Sequence, residues 1–242
     1  MMIGLGTIVN AGAIILGSLV GLLLKNGITE RYKNILMQAI GLAVVMIGIS
    51  GTLQGMYMVL DTGKLDRLYI MTMIFSLVIG SLIGEALNIE KALENLGNRL
   101  QKRFSNSGGS FAQGFVTSSL IYCIGAMAIM GALEDGLMGN HSTLFAKAIL
   151  DGVSAIVLSA TMGIGVLFSS VPVFIYQGAI TLLAGTLKPL LTPEVISQIS
   201  VVGSVLILGI GINILEIKRI KVGNMLPAIF IPLIYYAITL AF

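Results

Sequence analysis

Long apolar segments alternate with short polar connections along almost the whole chain. An α-helix needs about 20 predominantly apolar residues to cross the hydrocarbon layer of a membrane. Eight segments qualify as candidate spans, at residues 3–24, 35–53, 68–87, 112–133, 144–168, 172–190, 196–215 and 225–241. The pattern predicts an all-α fold, a polytopic integral membrane helical bundle with about eight transmembrane helices in a single domain, residues 1–242.

The connection between the fifth and sixth spans leaves two interpretations open. The residues 169–172 that separate them fit either a tight turn or a kink in one broken element. Lys and Arg accumulate on the cytoplasmic side of membrane proteins. With eight spans the 14 basic residues divide ten to four between the two sides, and with one merged crossing they divide eight to six. The charge pattern therefore favours eight spans with both termini outside.

The segment Asn88–Phe104, between the third and fourth spans, has a different pattern. Its apolar residues recur at helical spacing, at Ile89, Leu93, Leu96, Leu100 and Phe104. The basic residues Arg99, Lys102 and Arg103 lie near its end. This predicts an amphipathic helix lying in the cytoplasmic interface of the membrane. A plain connecting helix without lipid contact is the alternative.

Short internal similarities raise the question of repeats. Leu16–Gly21 in the first span resembles Ile79–Gly84 in the third, and Gly51–Gly55 resembles Gly131–Gly136. These matches suggest parallel copies of a helical hairpin. Gly12–Ile14 also resembles a segment of the sixth span, at residues 178–180, which runs the opposite way. Repeats of both kinds occur in transporters, although short matches also arise by chance in a chain rich in glycine and leucine.

Composition agrees with a membrane protein. Hydrophobic residues make up 56% of the chain, charged residues 10%, and mean hydropathy is +1.00, whereas a soluble domain is about a quarter charged. The net charge of +3 comes mainly from connections between spans and does not indicate nucleic-acid binding. The single cysteine, Cys123, excludes an internal disulfide and a cysteine metal cluster. No basic segment precedes the first span, so we expect a retained helix and not a signal peptide.

Two opposite charges interrupt the fifth span. Lys147 and Asp151 are one helical turn apart, so they lie on the same face and can pair. Each charge in a span costs about 2.5–3.5 kcal/mol on insertion scales, and such residues normally face the bundle interior or water. Ser154, Thr161 and Gly165 follow on roughly the same face. We therefore expect a polar, small-residue stripe turned toward other helices.

Other polar residues fall into two sets by depth. At 1.5 Å per residue, Asp151 and Asn10 each lie about 10 Å below the outer end of their spans. The expected outer set is Asn10, Glu134, Asp135, Lys147 and Asp151, and the expected inner set is Glu85, Gln177 and Asn213. Two polar levels joined by small-residue faces are what a solute path requires, so all eight residues are candidate binding groups for an ion or solute.

Structural interpretations compete with each of these functional ones. The charged pair can simply fix helix packing, and the carboxylates near span ends can be solvated. The amides can hydrogen-bond between helices, which contributes about 0.6 kcal/mol on average. We expect His141 to be solvated in its loop and Cys123 to pack as a small apolar residue.

Sequence signals of catalysis are missing. The chain has no Gly-x-Ser-x-Gly, no His-Glu-x-x-His and no phosphate-binding loop. A single histidine in a predicted loop makes metal-dependent hydrolysis improbable. We therefore expect no enzymatic activity, no cofactor and no metal site.

Several segments together resemble a known family. They are Gly6–Asn10, Ile124–Gly136, Lys147–Gly152, Gly163–Phe168, Tyr176–Gly178 and Val222–Ala228. In these the chain resembles the YqgA/YdfK family of bacterial inner-membrane proteins, a domain of unknown function, over essentially its whole length. The resemblance implies a bacterial plasma (inner) membrane location and motif residues that include Glu134, Lys147, Asp151 and Gln177. It implies no substrate.

These observations lead to one functional hypothesis and one alternative. The hypothesis is a transporter or channel for a small ion or solute, in which cation or proton binding at Asp151 weakens its pair with Lys147. The alternative is a non-transporting membrane protein, such as a sensor or assembly partner, with a structural ion pair. The expected partners are the lipid bilayer and a small ion or solute, with no nucleic acid; a homo-oligomer is left open.

Overall fold

The fold is seen in a computed structural model, which describes residues 3–25, 29–59, 63–92, 95, 111–123 and 126–241. Nearly all of these residues are helical. The strands among them are Tyr57–Val59 and Leu65–Arg67, which pair as an antiparallel hairpin. The predicted all-α membrane fold is confirmed.

The helices are numbered here in chain order. They are α1 (Leu5–Lys25), α2 (Glu30–Met56), α3 (Ile70–Leu87), α4 (Phe111–Cys123), α5 (Ala126–Met138), α6 (Ser142–Met162), α7 (Gly165–Phe168), α8 (Ser170–Leu182), α9 (Ala184–Leu187), α10 (Pro193–Ile214), α11 (Val222–Met225) and α12 (Ile231–Ala241), with a 3-10 helix at Leu226–Phe230.

Seven helical segments of the described chain are long and apolar enough to cross a membrane. They are Leu5–Lys25, Asn34–Met56, Ile70–Leu87, Ser142–Met162, Gly165–Leu182, Pro193–Ile214 and Val222–Leu240. The remaining predicted span, 112–133, corresponds to α4 and α5, which pass the same test together but bend by 59° where they join. The chain is therefore a multi-pass membrane protein.

The boundary between the fifth and sixth spans differs from the predicted one. α6 ends at Met162, and Gly163 has a φ of 84°, a left-handed conformation that favours glycine. The helical path resumes at Gly165, so residues 169–172 do not form the turn. The hydroxyl of Ser169 donates to Val166 O, and Pro172 lies in the first turn of α8, where its missing N–H has little effect.

Residue contacts divide the chain into two compact units, each discontinuous in sequence. Unit 1 comprises residues 1–37 and 91–188, and unit 2 comprises residues 38–90 and 189–242. Unit 1 thus holds α1 and α4–α9, and unit 2 holds most of α2, then α3 and α10–α12. The single-domain organisation over residues 1–242 stays a prediction.

In unit 1, α1 and α6 pack closely and run in the same direction. Asn10 contacts Asp151 near the start of the contact, and the hydroxyl of Ser159 donates to Ser18 O further along. A Cβ on Gly17 would overlap the carbonyl of the facing α6 backbone. Glycine therefore allows the two backbones to approach at this contact.

In unit 2, α2 and α10 pack in opposite directions. Gly41 faces Leu215, whereas Gly48, two turns later, faces Leu208. α3 likewise packs against the last span, where Gly80 faces Ala228 and residue 84 faces residue 224. Small residues on one helix again meet the backbone of the other.

These directions bear on whether the bent pair α4–α5 crosses the membrane. α1 and α6 run the same way, which requires an odd number of crossings between them. α2 and α10 run opposite ways, which requires an even number. Both conditions are met if α4–α5 crosses once, and neither is met if it turns back. The packing in each unit therefore favours the predicted eight crossings.

The described residues test two other sequence predictions only in part. Most of the predicted amphipathic helix, at residues 93–94 and 96–104, lies outside the described residues. Its described beginning, 89–92, is helical and follows Asn88, whose left-handed φ of 54° ends α3. The hairpin repeats stay a prediction: Gly17 and Gly80 both lie at close helix contacts, but α1 meets a parallel partner and α3 an antiparallel one.

Candidate functional site

Lys147 and Asp151 form an ion pair inside unit 1. Lys147 Nζ lies 3.0 Å from Asp151 Oδ1 and 2.9 Å from Oδ2. Only 6% of Lys147 and 5% of Asp151 is exposed. The pair is local, because one helical turn brings both side chains to the same face of α6.

Two amides from other helices complete the group. Asn10 Nδ2, on α1, donates to Asp151 Oδ2 at 3.1 Å and to Gln177 Oε1, on α8, at 3.2 Å. Asn10 and Gln177 are both 0% exposed. We call Lys147, Asp151, Asn10 and Gln177 the central cluster.

The buried face of α1 explains why Asn10 points inward. Buried residues recur along this helix every three or four positions, at Gly6, Thr7, Asn10, Ala11, Ile14, Gly17, Ser18 and Gly21. They are mostly small, so α1 can approach its neighbours closely. The opposite face carries exposed large apolar residues such as Leu16 and Leu23, as expected of a lipid-facing surface.

The charge on Asp151 sets the direction of the hydrogen bonds in the central cluster. An ionised carboxylate only accepts, so Asn10 must present its Nδ2 group to it. The same Nδ2 group donates to Gln177 Oε1, which turns the Nε2 group of Gln177 away. Among the described residues, Asn10 Oδ1 and Gln177 Nε2 then have no hydrogen-bond partner. Buried polar atoms without a partner are rare in native proteins.

A second buried group lies at the N-terminal end of α1. Asp135 Oδ1 accepts from Gly4 N at 2.9 Å, and Oδ2 accepts from Gly6 N at 3.1 Å. His141 Nδ1 lies 3.2 Å from Asp135 Oδ1. The prediction that His141 is solvated is wrong, because its ring is buried against this carboxylate. Asp135 thus satisfies free N–H groups at the start of α1.

The neighbouring Glu134 makes a separate contact. Its Oε2 accepts from Thr143 Oγ1 at 2.7 Å, at the start of α6. Glu134 is half-buried and is not bonded to the central cluster in the described structure. Of the five residues expected together in the outer set, three belong to the central cluster, and the two carboxylates of α5 lie in their own contacts.

The residues of the expected inner set belong to different units. Gln177 belongs to unit 1 and contacts Asn10, whereas Glu85 and Asn213 belong to unit 2. The placement of Gln177 in this set is wrong, because the sixth span begins at Gly165 and the amide of Gln177 contacts Asn10 of the outer set. Gln177 therefore lies about 18 Å from the inner end of its span, five residues before the last residue, Leu182.

Glu85 and Asn213 take part in contacts within unit 2. Glu85 Oε1 lies 2.7 Å from Lys221 Nζ, and its Oε2 accepts from Asn224 Nδ2 at 2.6 Å. Asn213 exchanges hydrogen bonds with the backbone of Ile220 at 2.7 and 2.8 Å. Their side chains connect α3 and the end of α10 to residues 220–224, at the start of the last span.

The stripe on α6 runs through other residues than expected. The hydroxyls of Ser154 and Thr161 donate to carbonyls of their own helix and are only half-buried. The face toward α1 instead continues through Ala155 and Ser159, which are fully buried. The sequence signal for Ser159 was available, because it lies two turns after Asp151 on the same face.

Two buried threonines, Thr7 on α1 and Thr181 on α8, were not among the predicted site residues. Each lies one helical turn from an amide of the central cluster, which was the available signal. Their hydroxyl oxygens have no partner among the described residues. Within the same part of the chain, no group of three or more His, Cys, Asp and Glu side chains could hold a metal ion.

The chain is similar to two proteins from different organisms. It is 38% identical over 227 residues to the uncharacterized membrane protein YdfK of Bacillus subtilis (strain 168), covering 94% of this chain and 93% of that protein. It is 32% identical over 232 residues to the uncharacterized protein YqgA of Escherichia coli (strain K12), covering 94% of each. No solved structure matches the chain.

A family model agrees with these similarities and with the expectation from the sequence motifs. It matches residues 5–237, which include every residue of the central cluster. The chain belongs to the family described as Protein of unknown function (DUF554).

Proposed function

We propose that the protein is a transporter or channel for a small ion or solute in a bacterial plasma membrane. One observation carries the proposal: a charged and hydrogen-bonded cluster lies buried between three apolar helices, and two of its polar atoms have no partner among the residues that the structure describes. Polar groups in membrane spans are costly and mark solute and ion pathways. We propose no enzymatic activity.

The ion pair is the proposed switch. A cation or proton that binds Asp151 competes with Lys147 for the same carboxylate oxygens. The two short contacts of the ammonium group then weaken, and so does the hydrogen bond by which Asp151 orients Asn10. Because Asp151 lies on the face of α6 that packs on α1, this change alters the contact between the two helices.

The unpartnered amide atoms argue against a purely structural cluster. A structural pair needs only to satisfy its own charges, and Lys147 with Asp151 already does so. Leaving a buried amide donor and a buried amide acceptor without partners costs about 1–3 kcal/mol each. A bound solute or water would recover this free energy, which fits a site that exchanges its contents.

Flux into vesicles tests the proposal. The purified protein is reconstituted, and uptake is compared for a panel of monovalent cations, protons and small metabolites. We expect wild-type flux of at least one of them, and loss of this flux in the folded double variant Lys147→Met with Asp151→Leu. The matched control is Lys221→Met with Glu85→Leu, which removes an exposed pair of the same chemistry and should retain flux.

The alternative is a non-transporting protein with a structural ion pair, such as a sensor or assembly partner. It is favoured by one observation, that both Asp151 oxygens already have protein partners. Well-packed apolar residues often substitute for a structural buried pair without loss of stability. Retention of the wild-type phenotype by the folded Lys147→Met, Asp151→Leu variant, with no flux by the wild type, would support this alternative.

A further inference from the structure

Two threonine hydroxyls continue the row of unpartnered polar atoms beyond the central cluster. Thr7 on α1 is 2% exposed and Thr181 on α8 is 3% exposed, and neither hydroxyl has a partner among the described residues. Thr7 precedes Asn10 by three residues, and Thr181 follows Gln177 by four. Each threonine is therefore one turn from an amide of the cluster, on the same side of its helix.

The packing of unit 1 places both threonines on the same side of the central cluster. α1 and α8 run in opposite directions, because Asn10 faces Gln177 while α5 links the start of α1 to the end of α8. Asp135 binds the backbone at Gly4 and Gly6, and the next residue of α5 lies against the carbonyl of Thr181. The threonines thus lie between the central cluster and the Asp135–His141 group.

This arrangement makes one row of polar groups along about two helical turns. From the end of unit 1 inward, the row holds His141 and Asp135, then Thr7 and Thr181, then Asn10 and Gln177, and last Asp151 with Lys147. In the topology with eight crossings this end of unit 1 faces outside. The row passes between helices whose other faces are apolar.

Buried hydroxyls and amides without protein partners are normally satisfied by internal water, which makes about three hydrogen bonds in such a place. The hydroxyls of Thr7 and Thr181 can each donate one hydrogen bond and accept another. Asn10 Oδ1 can accept a hydrogen bond, and Gln177 Nε2 can donate one. These groups can therefore hold water molecules in a hydrogen-bonded file, with a titratable side chain at each end.

We propose that this row lines a file of water molecules that carries protons between the His141 end of unit 1 and the Asp151 carboxylate. The inference deepens the proposed function, on which it rests, by naming the proton as the transported or coupling ion. A proton taken up from solvent at the His141 end is passed along the file to an oxygen of Asp151. The carboxylate becomes a neutral carboxyl, Lys147 keeps its ammonium charge, and the cluster gains one positive charge.

Protonation of Asp151 also reverses the polarity of the amides. A protonated carboxyl can donate a hydrogen bond, so Asn10 can turn its Oδ1 atom toward it, and Gln177 can then turn as well. Among the described residues, Lys147 on the same helix pairs with Asp151, and Tyr122 and Cys123 on α4 are close enough to interact with it electrostatically. Asn10 and Gln177 are the uncharged groups that face it from α1 and α8.

Silver ions test whether water reaches the row. In a Cys123→Ala background, Thr7→Cys and Thr181→Cys are compared with Ser118→Cys in oriented vesicles, with silver added outside. Ser118 is equally buried in unit 1, but its hydroxyl is satisfied by Gly114 O. We expect the cysteines at positions 7 and 181 to react while that at 118 is protected. Equal protection at all three positions would overturn the proposal.

Infrared spectroscopy after a pH jump tests proton movement without any flux measurement. A protonated carboxyl band that is absent in Asp151→Asn reports the state of Asp151. Thr7→Val with Thr181→Val keeps the shape of both side chains but removes both hydroxyls. We expect the band to appear roughly tenfold more slowly in this variant, the factor that one lost hydrogen bond of ordinary strength implies. An unchanged rate, or a wild-type Asp151 that never takes up a proton while folded, contradicts the proposal.

The two experiments separate this inference from the proposed function. If silver reaches positions 7 and 181 and Asp151 takes up protons, but vesicles show no flux of any ion or solute, the water file stands and transport fails. If vesicles show flux but positions 7 and 181 are protected and the valine variant protonates at the wild-type rate, transport stands and the water file fails.

Discussion

At the scale of single residues, Asp151 is the point where hydrogen bonds from two helices meet. Lys147 binds it from the same helix and Asn10 binds it from α1. These contacts explain how a carboxylate is tolerated in the middle of an apolar span, because both of its oxygens have partners. Removing one partner of a buried pair leaves an uncompensated charge. The contacts also make the stability of unit 1 sensitive to either charge.

The first prediction is that Lys147→Ala and Asp151→Ala each lower the free energy of unfolding more than the double variant does. Removing one partner strands the other charge in a poorly solvated place, whereas removing both leaves none. We expect a coupling free energy above about 1 kcal/mol, measured by a double-mutant cycle in detergent. The same cycle on Lys221 and Glu85, whose side chains are 59% and 53% exposed, should give a coupling of about 0–1 kcal/mol.

The second prediction concerns Asp135. Its carboxylate binds two backbone N–H groups at the start of α1, so Asp135→Ala should destabilise the protein by about 1–2 kcal/mol, as loss of a helix cap does. The control is Glu134→Ala on the same helix, which removes only the contact with Thr143. Unfolding of the purified variants measures both, and equal losses for the two would contradict the capping role.

At the scale of helices, the contact between α1 and α6 depends on backbone approach. Gly17 and Gly21 face the α6 backbone so closely that a Cβ at either position would overlap it, whereas a Cβ at Gly12 would meet nothing within 4 Å. The same helix therefore has glycines that packing requires and a glycine that it does not. Because Asn10 lies on the same face, this approach also positions the central cluster.

The third prediction follows from this difference. Gly17→Leu should destabilise the protein by about 1–3 kcal/mol, the usual cost of overpacking, because the side chain has no space between α1 and α6. Gly12→Leu introduces the same side chain into the same helix and should be nearly neutral. Thermal unfolding of both variants measures the difference, and similar stabilities of the two would show that the close approach at Gly17 does not decide the cost.

The fourth prediction addresses the amphipathic segment at residues 88–104. If it lies in the membrane interface, Leu96→Asp should weaken its membrane contact by placing a charge on the apolar face. Spin labels along residues 89–104 should report depth that varies with helical periodicity in the wild type. Uniform exposure to water along the segment would reject the interfacial helix.

At the scale of the whole molecule, the chain forms two units that alternate along the sequence. Residues 38–90 of unit 2 lie between the two segments of unit 1 in the sequence. The rest of unit 2, residues 189–242, follows the second segment of unit 1. Local truncation therefore removes parts of a unit and not a whole one. The helix directions inside each unit agree with the charge pattern of the connections, and both favour eight crossings.

The fifth prediction is the topology. Reporter fusions after Phe242 should place the C-terminus outside, and fusions after Phe104 should place that residue inside, because ten of the 14 basic residues then lie on the cytoplasmic side. A cytoplasmic C-terminus would be incompatible with eight crossings from an outside N-terminus. The helix pair α4–α5 would then be the first candidate for a segment that turns back.

The sequence by itself determined the features that depend on near neighbours along the chain. Apolar length and spacing located the spans, and one helical turn predicted the Lys147–Asp151 contact. Local pattern did not locate the end of the fifth span, because Gly163 lies in a segment as apolar as its flanks. The end of this span depends on the left-handed backbone at Gly163 and on the packing around it. Because the predicted start of the sixth span was wrong, the predicted depth of Gln177 was wrong as well.

The tertiary structure alone decided which helices meet. The contacts of Asn10 with Asp151 and Gln177 join residues 141 and 167 positions apart. Depth along the spans predicted that Asn10 and Asp151 lie at the same level, but it did not select which helices touch, and it placed Gln177 in the other set. The same holds for His141, whose loop position predicted solvation, whereas its ring is buried against Asp135 on α5 and beside Phe145 on α6. A helix period fixes which residues share a face, but the close approach of small residues fixes which faces come together, and the candidate site is made by that second step.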